Sequence, residues 1–408
     1  MPSTSSTTPP NRRDFLAGSA GLALGLAAPA VLSAAPSKTI RVGTIGTGGR
    51  CRQLMNAAKP IEEIRFVAVC DVWEDAIAAG VKLAGDKAKV HRDYKKLLDD
   101  KDIDAVLIAS PDHWHVQMLA DALAAGKDVY IEKPLTWSLD ENATVRAAVK
   151  KHSDRIVQVG MQQRAMPHLV KCYEEVVKPG TLGAVHHVRM WWNYSAYPNN
   201  PAKITVDAKS VDWKAFCGKA KEQPFDAYRF RRWRNIWDFA GGHLTDLMTH
   251  FIDVVHWYMK VDHPVTAVSA GGLFFSKDSR EPPDVIHTLL TYPNKLVVTF
   301  QGNQHNGAAG AGIEFFGSNG TLYVDRQLYE LTPEQNRVKA VKHQDGQFPR
   351  GHFNTREDQD TAFLRTWVDA VLNRKAPLVN VEMGINAAGA AHLGNVAFRK
   401  GGVAEWPK

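Results

Sequence analysis

A chain of 408 residues with 44% hydrophobic and 23% charged side chains is too long for one ordinary core and too apolar for a disordered tail, which points to two or three globular domains. No internal apolar run is long enough to span a bilayer, so no stable membrane anchor is expected. The formal net charge of +7 is modest for this size, and four scattered cysteines, Cys51, Cys70, Cys172 and Cys217, exclude a disulfide framework and are expected as buried free thiols.

In chain order, Asn11-Arg12-Arg13-Asp14-Phe15-Leu16 precedes an Ala/Gly/Leu run from Ala17 to Ala30, with small-residue cleavage candidates at Ala28-Pro29-Ala30 and Ser33-Ala34-Ala35. This reads as a twin-arginine export signal with a periplasmic destination, and sets residues 1–36 apart from the fold. Strands are then expected at Thr39 to Ile45, Ile64 to Cys70, near Val90, Ile103 to Ala109, Asp128 to Ile131 and Ile156 to Val159. Helical patterns separate them: the helix opened by Gly46 to Arg50, then Trp73 to Ala84, Tyr94 to Leu98, His115 to Ala125 and Leu139 to His152. Regular strand–helix alternation implies a doubly wound parallel sheet covered on both faces, assigned to residues 37–162.

From residue 163 to 408 the pattern changes. A helix from His168 to Val177 is followed by the alternating run His186 to Trp192 and a Pro/Asn-rich loop from Pro198 to Asp207. Strands at Val265 to Phe275, Val285 to Tyr292, Leu296 to Gln301, Ile313 to Phe316 and Thr321 to Val324 are joined in part by tight turns, which favours an antiparallel arrangement. Helices at Arg356 to Leu372 and Gly384 to Phe398 complete the chain. The expected fold is α/β, a Rossmann-type sheet followed by an α+β domain with a large, mainly antiparallel open sheet.

Gly46-Thr47-Gly48-Gly49-Arg50-Cys51 lies between a strand and a helix, where backbone N–H groups of Gly46, Gly48, Gly49 and Arg50 and the helix dipole suit a pyrophosphate. Asp71 ends the next strand at the distance expected for a carboxylate on adenosine ribose hydroxyls, which favours NAD over NADP. Arg50 or Arg52 would weaken that preference, and Cys51 in place of the third glycine would space helix and strand slightly further apart. Glu132-Lys133-Pro134 closes the strand Asp128 to Ile131, and ligands in open parallel sheets bind beyond such strand ends. Lys133 is therefore the first catalytic candidate.

Projected at 100° per residue, His243, Asp246, His250, Asp253 and Trp257 share one face of a helix from His243 to Tyr258, opposite an apolar face. The polar face lacks Lys, Glu and Arg, unlike a solvated one. Asp246 and His250 are expected one turn apart, with the carboxylate orienting the imidazole. The same donors, with His243, would suit a metal, but the favoured reading is metal-free. Tyr228-Arg229-Phe230-Arg231-Arg232-Trp233-Arg234 has a nucleic-acid-like texture, but is read instead as a loop over the cleft, with Trp233 or Trp237 stacking on a ligand, and no nucleic-acid partner is expected. Trp191, Trp192, Asn193 and Tyr194 are candidates for a carbohydrate pocket or for domain packing.

Taken together, Ile45 to Arg50, Ser110-Pro111-Asp112-His113-Trp114-His115, Glu132-Lys133-Pro134 and Gly241-Gly242-His243-Leu244-Thr245-Asp246 with His250 resemble the Gfo/Idh/MocA family, which includes glucose-fructose oxidoreductase and inositol dehydrogenases. The resemblance implies a homo-oligomer formed through the large sheet. It places Ser110, Pro111 and His115 along the cofactor, Glu132 and Lys133 beside the nicotinamide, and Gln163 and Arg164 at cofactor or substrate. The expected chemistry is hydride transfer between a sugar or polyol carbon and a tightly held nicotinamide. His250 takes the hydroxyl proton, Lys133 polarises the same oxygen, the two being able to exchange roles, and Asp246 orients His250. The rival readings are an NAD-dependent glycosidase, working by transient oxidation of a glycoside and elimination, and a non-catalytic sugar-binding protein.

Overall fold

The computed structural model describes residues 39–195, 204–345 and 347–407. The twin-arginine segment and Pro198 to Lys203 of the Pro/Asn-rich loop lie outside the described residues. The first half contains β1 Ile40–Ile45, α1 Gly49–Ala57, β2 Ile64–Cys70, α2 Glu74–Ala84, β3 Lys89–His91, α3 Tyr94–Leu98, β4 Ala105–Ile108, α4 His115–Ala124, β5 Asp128–Glu132, α5 Glu141–Lys151 and β6 Val157–Gly160. The strands pair in parallel in the order β3-β2-β1-β4-β5-β6. Every residue of β4, β5 and β6 is buried, as their near-continuous apolar runs require for strands covered on both faces. Chain order reverses between β1 and β4, which opens a crevice beside the glycine turn at the end of β1.

The second half comprises α6 Pro167–Cys172, β7 Val185–Asn193, α7 Trp213–Cys217, α8 Ala227–Arg231, α9 Thr249–Met259, β8 Thr266–Gly272, β9 Val285–Thr291, β10 Val297–Asn303, β11 Ala311–Gly317, β12 Gly320–Val324, β13 Leu328–Pro333, β14 Val341–Gln344, α10 Glu357–Asn373, α11 Val381–Lys400 and β15 Ala404–Glu405. Nine strands form one open sheet, β14-β13-β12-β11-β7-β10-β9-β8-β15, antiparallel except where β10 runs parallel to β7. Three of these strands, β13, β14 and β15, escape the sequence pattern: β14 is a half-exposed Val-Lys-His-Gln edge, and β15 has two residues.

Period-two alternation settles the two faces of β7. Val188, Met190 and Trp192 enter the main core, while Trp191 packs with Tyr323 and Leu328 on the other face of the sheet. Helices α9 and α11 pack on each other, α11 also covers β8, and α10 packs against α1 of the first half. Between β7 and α9, the segment from 204 to 239 has its own small core of Val211, Phe216, Tyr228, Phe230, Ile236 and Phe239, packed against Val72 and Trp73 at the end of β2. All four cysteines are buried free thiols.

Candidate active site

A cleft of about 790 Å³ opens over the glycine turn, a size typical of small-molecule sites. Gly46 has φ +81°, and a Cβ there would lie 2.7 Å from the backbone N of Ser110, so both conformation and space demand glycine. A Cβ at Gly48 or Gly49 would meet nothing within 4 Å, so the turn presents bare backbone to the cleft. Helix α1 begins there with no acidic residue in its first turn, leaving its N–H groups and positive dipole end available to an anion. Asp71 lines the cleft and accepts hydrogen bonds from Thr47 N at 2.6 Å and Trp73 N at 3.0 Å. Burial raises its carboxyl above the usual value, against the pull of those amides.

Arg50 lines the cleft beside the turn, and its guanidinium has protein partners of its own. Its Nε donates to Glu132 Oε1 at 2.9 Å, and Nη1 and Nη2 donate to Asp360 at 2.7 and 3.0 Å. The guanidinium is thus committed to buried carboxylates of β5 and α10. Ser110 and Pro111 line the cleft. His115 does not; it is buried, with ring nitrogens 2.6 Å from Pro134 O and 3.0 Å from Ser110 O, and braces the turn that follows Lys133. The roof comes from the segment with its own core: Asp212, Phe216, Phe230, Arg231 and Trp233 line the cleft. Phe216 O accepts from Trp114 Nε1 at 2.9 Å, which ties roof to floor. Trp73, under the Arg231 guanidinium at 4.7 Å, is a cleft residue that sequence reasoning missed, although its place two residues past Asp71 was a usable signal.

Lys133 reaches from the end of β5 into the second half of the chain. Its Nζ donates to Asp246 O at 2.6 Å and to Asp246 Oδ1 at 2.7 Å. Arg234 Nε, from the roof segment, donates to the same Oδ1 at 3.2 Å. Burial works to raise the Asp246 carboxyl, but the charges of Lys133 and Arg234 overcome it and hold it well below the usual range. Beside it, burial pushes Asp112 up to about 7 despite Arg234 and Lys133, a second residue the sequence reading passed over although it stood inside a quoted motif.

His250 is buried next to this pair, but Asp246 does not orient it. Its ring stacks on Trp192 at 6.1 Å, and Nδ1 has no hydrogen-bond partner among the described residues. Burial, then the charges of Lys133, Arg326 and Arg50, push its pKa well below the ordinary value, so the ring is neutral near pH 7. The reason for the changed pairing is local. Leu244–Met248 is a π-helical turn, in which each residue advances by less than the 100° of an α-helix, and this takes Asp246 out of register with α9. The polar face accordingly divides. Asp253 is bonded to Arg164 at 2.9 Å, Trp257 stacks on Tyr173 at 5.2 Å, and His243 Nδ1 meets Gln304 Nε2 at 3.0 Å.

Arg164 is thereby engaged with α9, and Gln163 is buried with Oε1 unpartnered among the described residues. Trp191 faces away from this site, its Nε1 bonded to Ala309 O at 3.0 Å, and Asn193 Nδ2 bonds Ala308 O at 2.9 Å. The tryptophan beside His250 is the neighbouring Trp192. Trp233 lines the cleft with the Arg234 guanidinium 4.1 Å over its ring. Among the described residues, no three His, Cys, Asp or Glu side chains gather as a metal site.

Comparison with known proteins agrees with this geometry. Residues 40–161 match the model of the Gfo/Idh/MocA oxidoreductase family described as its NAD-binding Rossmann fold, and residues 206–404 match its C-terminal alpha/beta domain. The chain is 33% identical over 153 residues to an inositol 2-dehydrogenase of Klebsiella pneumoniae, covering 36% of this chain and 43% of that one. It is 33% identical over 150 residues to a glycosyl hydrolase family 109 protein of Solibacter usitatus, covering 32% and 34%. Both matches span less than half of the relative's length. In fold, the chain is similar to scyllo-inositol dehydrogenase from Lactobacillus casei, solved with bound NAD(H) and scyllo-inositol, with a TM-score of 0.66 at 20% identity over 90% of this chain and 99% of that one.

Proposed function

The chain belongs to the Gfo/Idh/MocA oxidoreductase family, and from that premise we propose that it transfers hydride between a sugar or polyol carbon and a tightly held NAD. The observation that carries this reading is the meeting of Lys133, from the end of β5, with Asp246 and the neighbourhood of His250, next to a glycine turn stripped of side chains. Gly46, Gly48 and Gly49 would hold the pyrophosphate, and Asp71 the adenosine ribose, where its negative charge disfavours a 2′-phosphate. When bound, the nicotinamide supplies the hydride acceptor.

The protein's own part is positioning and proton movement. Lys133, fixed by two bonds to Asp246, presents its ammonium to the reacting hydroxyl oxygen and stabilises the charge that develops there. His250, neutral and stacked on Trp192, takes the proton. Asp246 serves Lys133 rather than His250. The roof, bound to the floor through Phe216, slows nucleotide release and supports retention of the cofactor between turnovers.

Purified protein should carry a nicotinamide absorbance spectrum, and one or more members of a sugar and polyol panel should raise the reduced-nicotinamide band. A panel that leaves the spectrum unchanged sinks the reading. Release of the aryl group from aryl glycosides without net reduction would favour the glycosidase alternative, to which the resemblance with the Solibacter usitatus protein lends its support. Export through the twin-arginine route is proposed on Arg12-Arg13-Asp14-Phe15-Leu16 and the apolar run that follows, and activity in a periplasmic fraction that Arg12→Lys with Arg13→Lys abolishes is its test. Self-association through the large sheet is proposed on Val268 and Leu289, both exposed on its strands, and native mass measurement decides it.

A further inference from the structure

The run Tyr228-Arg229-Phe230-Arg231-Arg232-Trp233-Arg234, which crosses the roof, sends its arginines to different places. Arg229 pairs with Asp238 at 3.0 Å and with Glu281 at 2.8 Å, and Arg234 with Asp246 at 3.2 Å. Arg231, the last residue of α8, has neither an ion pair nor a hydrogen bond at its guanidinium among the described residues. It is exposed, and it lines the cleft. Burial, then the like charges of Arg232 and Arg52, draw its pKa below the usual value, with Asp75 opposing them. The protein therefore holds a cation over the cleft without neutralising it.

Trp73 fixes where in the cleft this happens. The Arg231 guanidinium carbon lies 4.7 Å over the indole ring, and Phe230, from the same helix, meets that ring edge-on at 5.5 Å. Trp73 follows Asp71 by two residues and donates its backbone N–H to that carboxylate at 3.0 Å. The lining of the cleft thus passes from bare amides at Gly46, Gly48 and Gly49, through Asp71, to a wall of Trp73, Ala76, Phe230 and Arg231. Amides suit a pyrophosphate, and the carboxylate suits the adenosine ribose. The part of a dinucleotide that lies beyond that ribose is the adenine, a flat heterocycle. A guanidinium is planar and weakly hydrated, and it stacks on ring faces that a compact ammonium cannot cover. A phosphate is better served at the other end of this lining, by the first amides of α1.

We infer that Arg231 stacks on the adenine of the bound dinucleotide, which makes the roof part of the cofactor site. The inference rests on nucleotide binding in the reading above and is independent of hydride transfer. Pyrophosphate and ribose are then held by the first half of the chain, and the adenine by a side chain of the second. The dinucleotide leaves only when the roof lifts from Trp73.

The test titrates dialysed protein with NADH, NADPH and reduced nicotinamide mononucleotide, which lacks the adenylate half, and follows nucleotide fluorescence. Arg231→Ala should weaken NADH about tenfold, the scale of one base stacked on a side chain, and leave the mononucleotide within about twofold. Arg231→Tyr, a plate without charge, should recover most of the loss, and Arg231→Lys, a charge without a plate, should not. Thermal melts confirm that the variants are folded. Unchanged NADH affinity in Arg231→Ala overturns the inference, and so does a loss shared equally by the mononucleotide, which marks a general fault of the roof. Recovery by Arg231→Lys in place of Arg231→Tyr, with NADPH weakened more than NADH, assigns the residue to a phosphate and overturns the stacking. A parent protein that binds no NADH removes the nucleotide reading and this inference together, whereas Arg231-dependent binding without turnover of any sugar keeps the adenine contact and removes hydride transfer alone.

Discussion

The glycine turn, which lines the cleft, and the cluster of Lys133, Asp246 and His250, joined to the cleft through Arg234, are built by different means. The turn is made of backbone: its shape follows from φ at Gly46, and its affinity for anions from the first amides of α1. The cluster is made of side chains brought together from β5, the turn before α9, the roof segment and the end of β12. A backbone site tolerates change everywhere except at the residues that must lack a Cβ. A side-chain site depends on every element that carries one of its members, and a single wide helical turn redirects a carboxylate from one partner to another.

The sharpest way to test that contrast is to remove chemistry without touching the turn. Lys133→Met should lower kcat by at least about 10³-fold while nucleotide affinity stays within about threefold, and activity within about tenfold of the parent would break the assignment. The converse substitution, Gly46→Ala, drives a Cβ to 2.7 Å from Ser110 N. Nucleotide titration should then show affinity weakened by about 100-fold, or about 2.7 kcal/mol, with the Lys133–Asp246 pair undisturbed.

Acid acts on side chains, at the buried histidines of the second half. His243, His256 and His392 are buried with pKa values lowered by burial from 6.5 to about 4, about 3 and about 4, and His250 is lowered well below its ordinary value. Each folded value lies below the unfolded one, so the stability these rings contribute is complete above about pH 6.5 and is lost as pH falls through the folded values. Denaturant midpoints should fall over that window, each imidazole adding about 1.4 kcal/mol per pH unit to the slope. A flat profile between pH 6.5 and 4.5 would contradict the burial of these rings. The smallest effect distinguishes two adjacent residues: Trp192→Ala should lower kcat/KM by about tenfold, and Trp191→Ala by less than about twofold.

The reasons for reading one region well and the other poorly are physical. Strand–helix alternation, the glycine turn and Asp71 are local patterns, and each lies where its spacing placed it. Lys133 stood out because it follows a strand end of a parallel sheet, where ligands bind. The partner of Asp246 was not, since the 100° projection assumes an α-helix and Leu244–Met248 is not one. Alternation in β7 told that Trp191 and Trp192 face opposite ways without telling which way is inward. Arg326 had no pattern at all; its Nη1 is bonded by Phe353 O and Thr355 Oγ1, from residues that precede α10. Arg50 looked like a ligand-binding cation because its two carboxylates, Glu132 and Asp360, are remote in the chain.

The Arg50–Asp360 pair spans 310 residues. During synthesis, the first half can assemble its parallel sheet long before residue 360 leaves the ribosome, but helix α1 then lacks the brace that α10 supplies. The amino-terminal lobe therefore completes the support of its own glycine-turn helix only when the last fifth of the chain has been made.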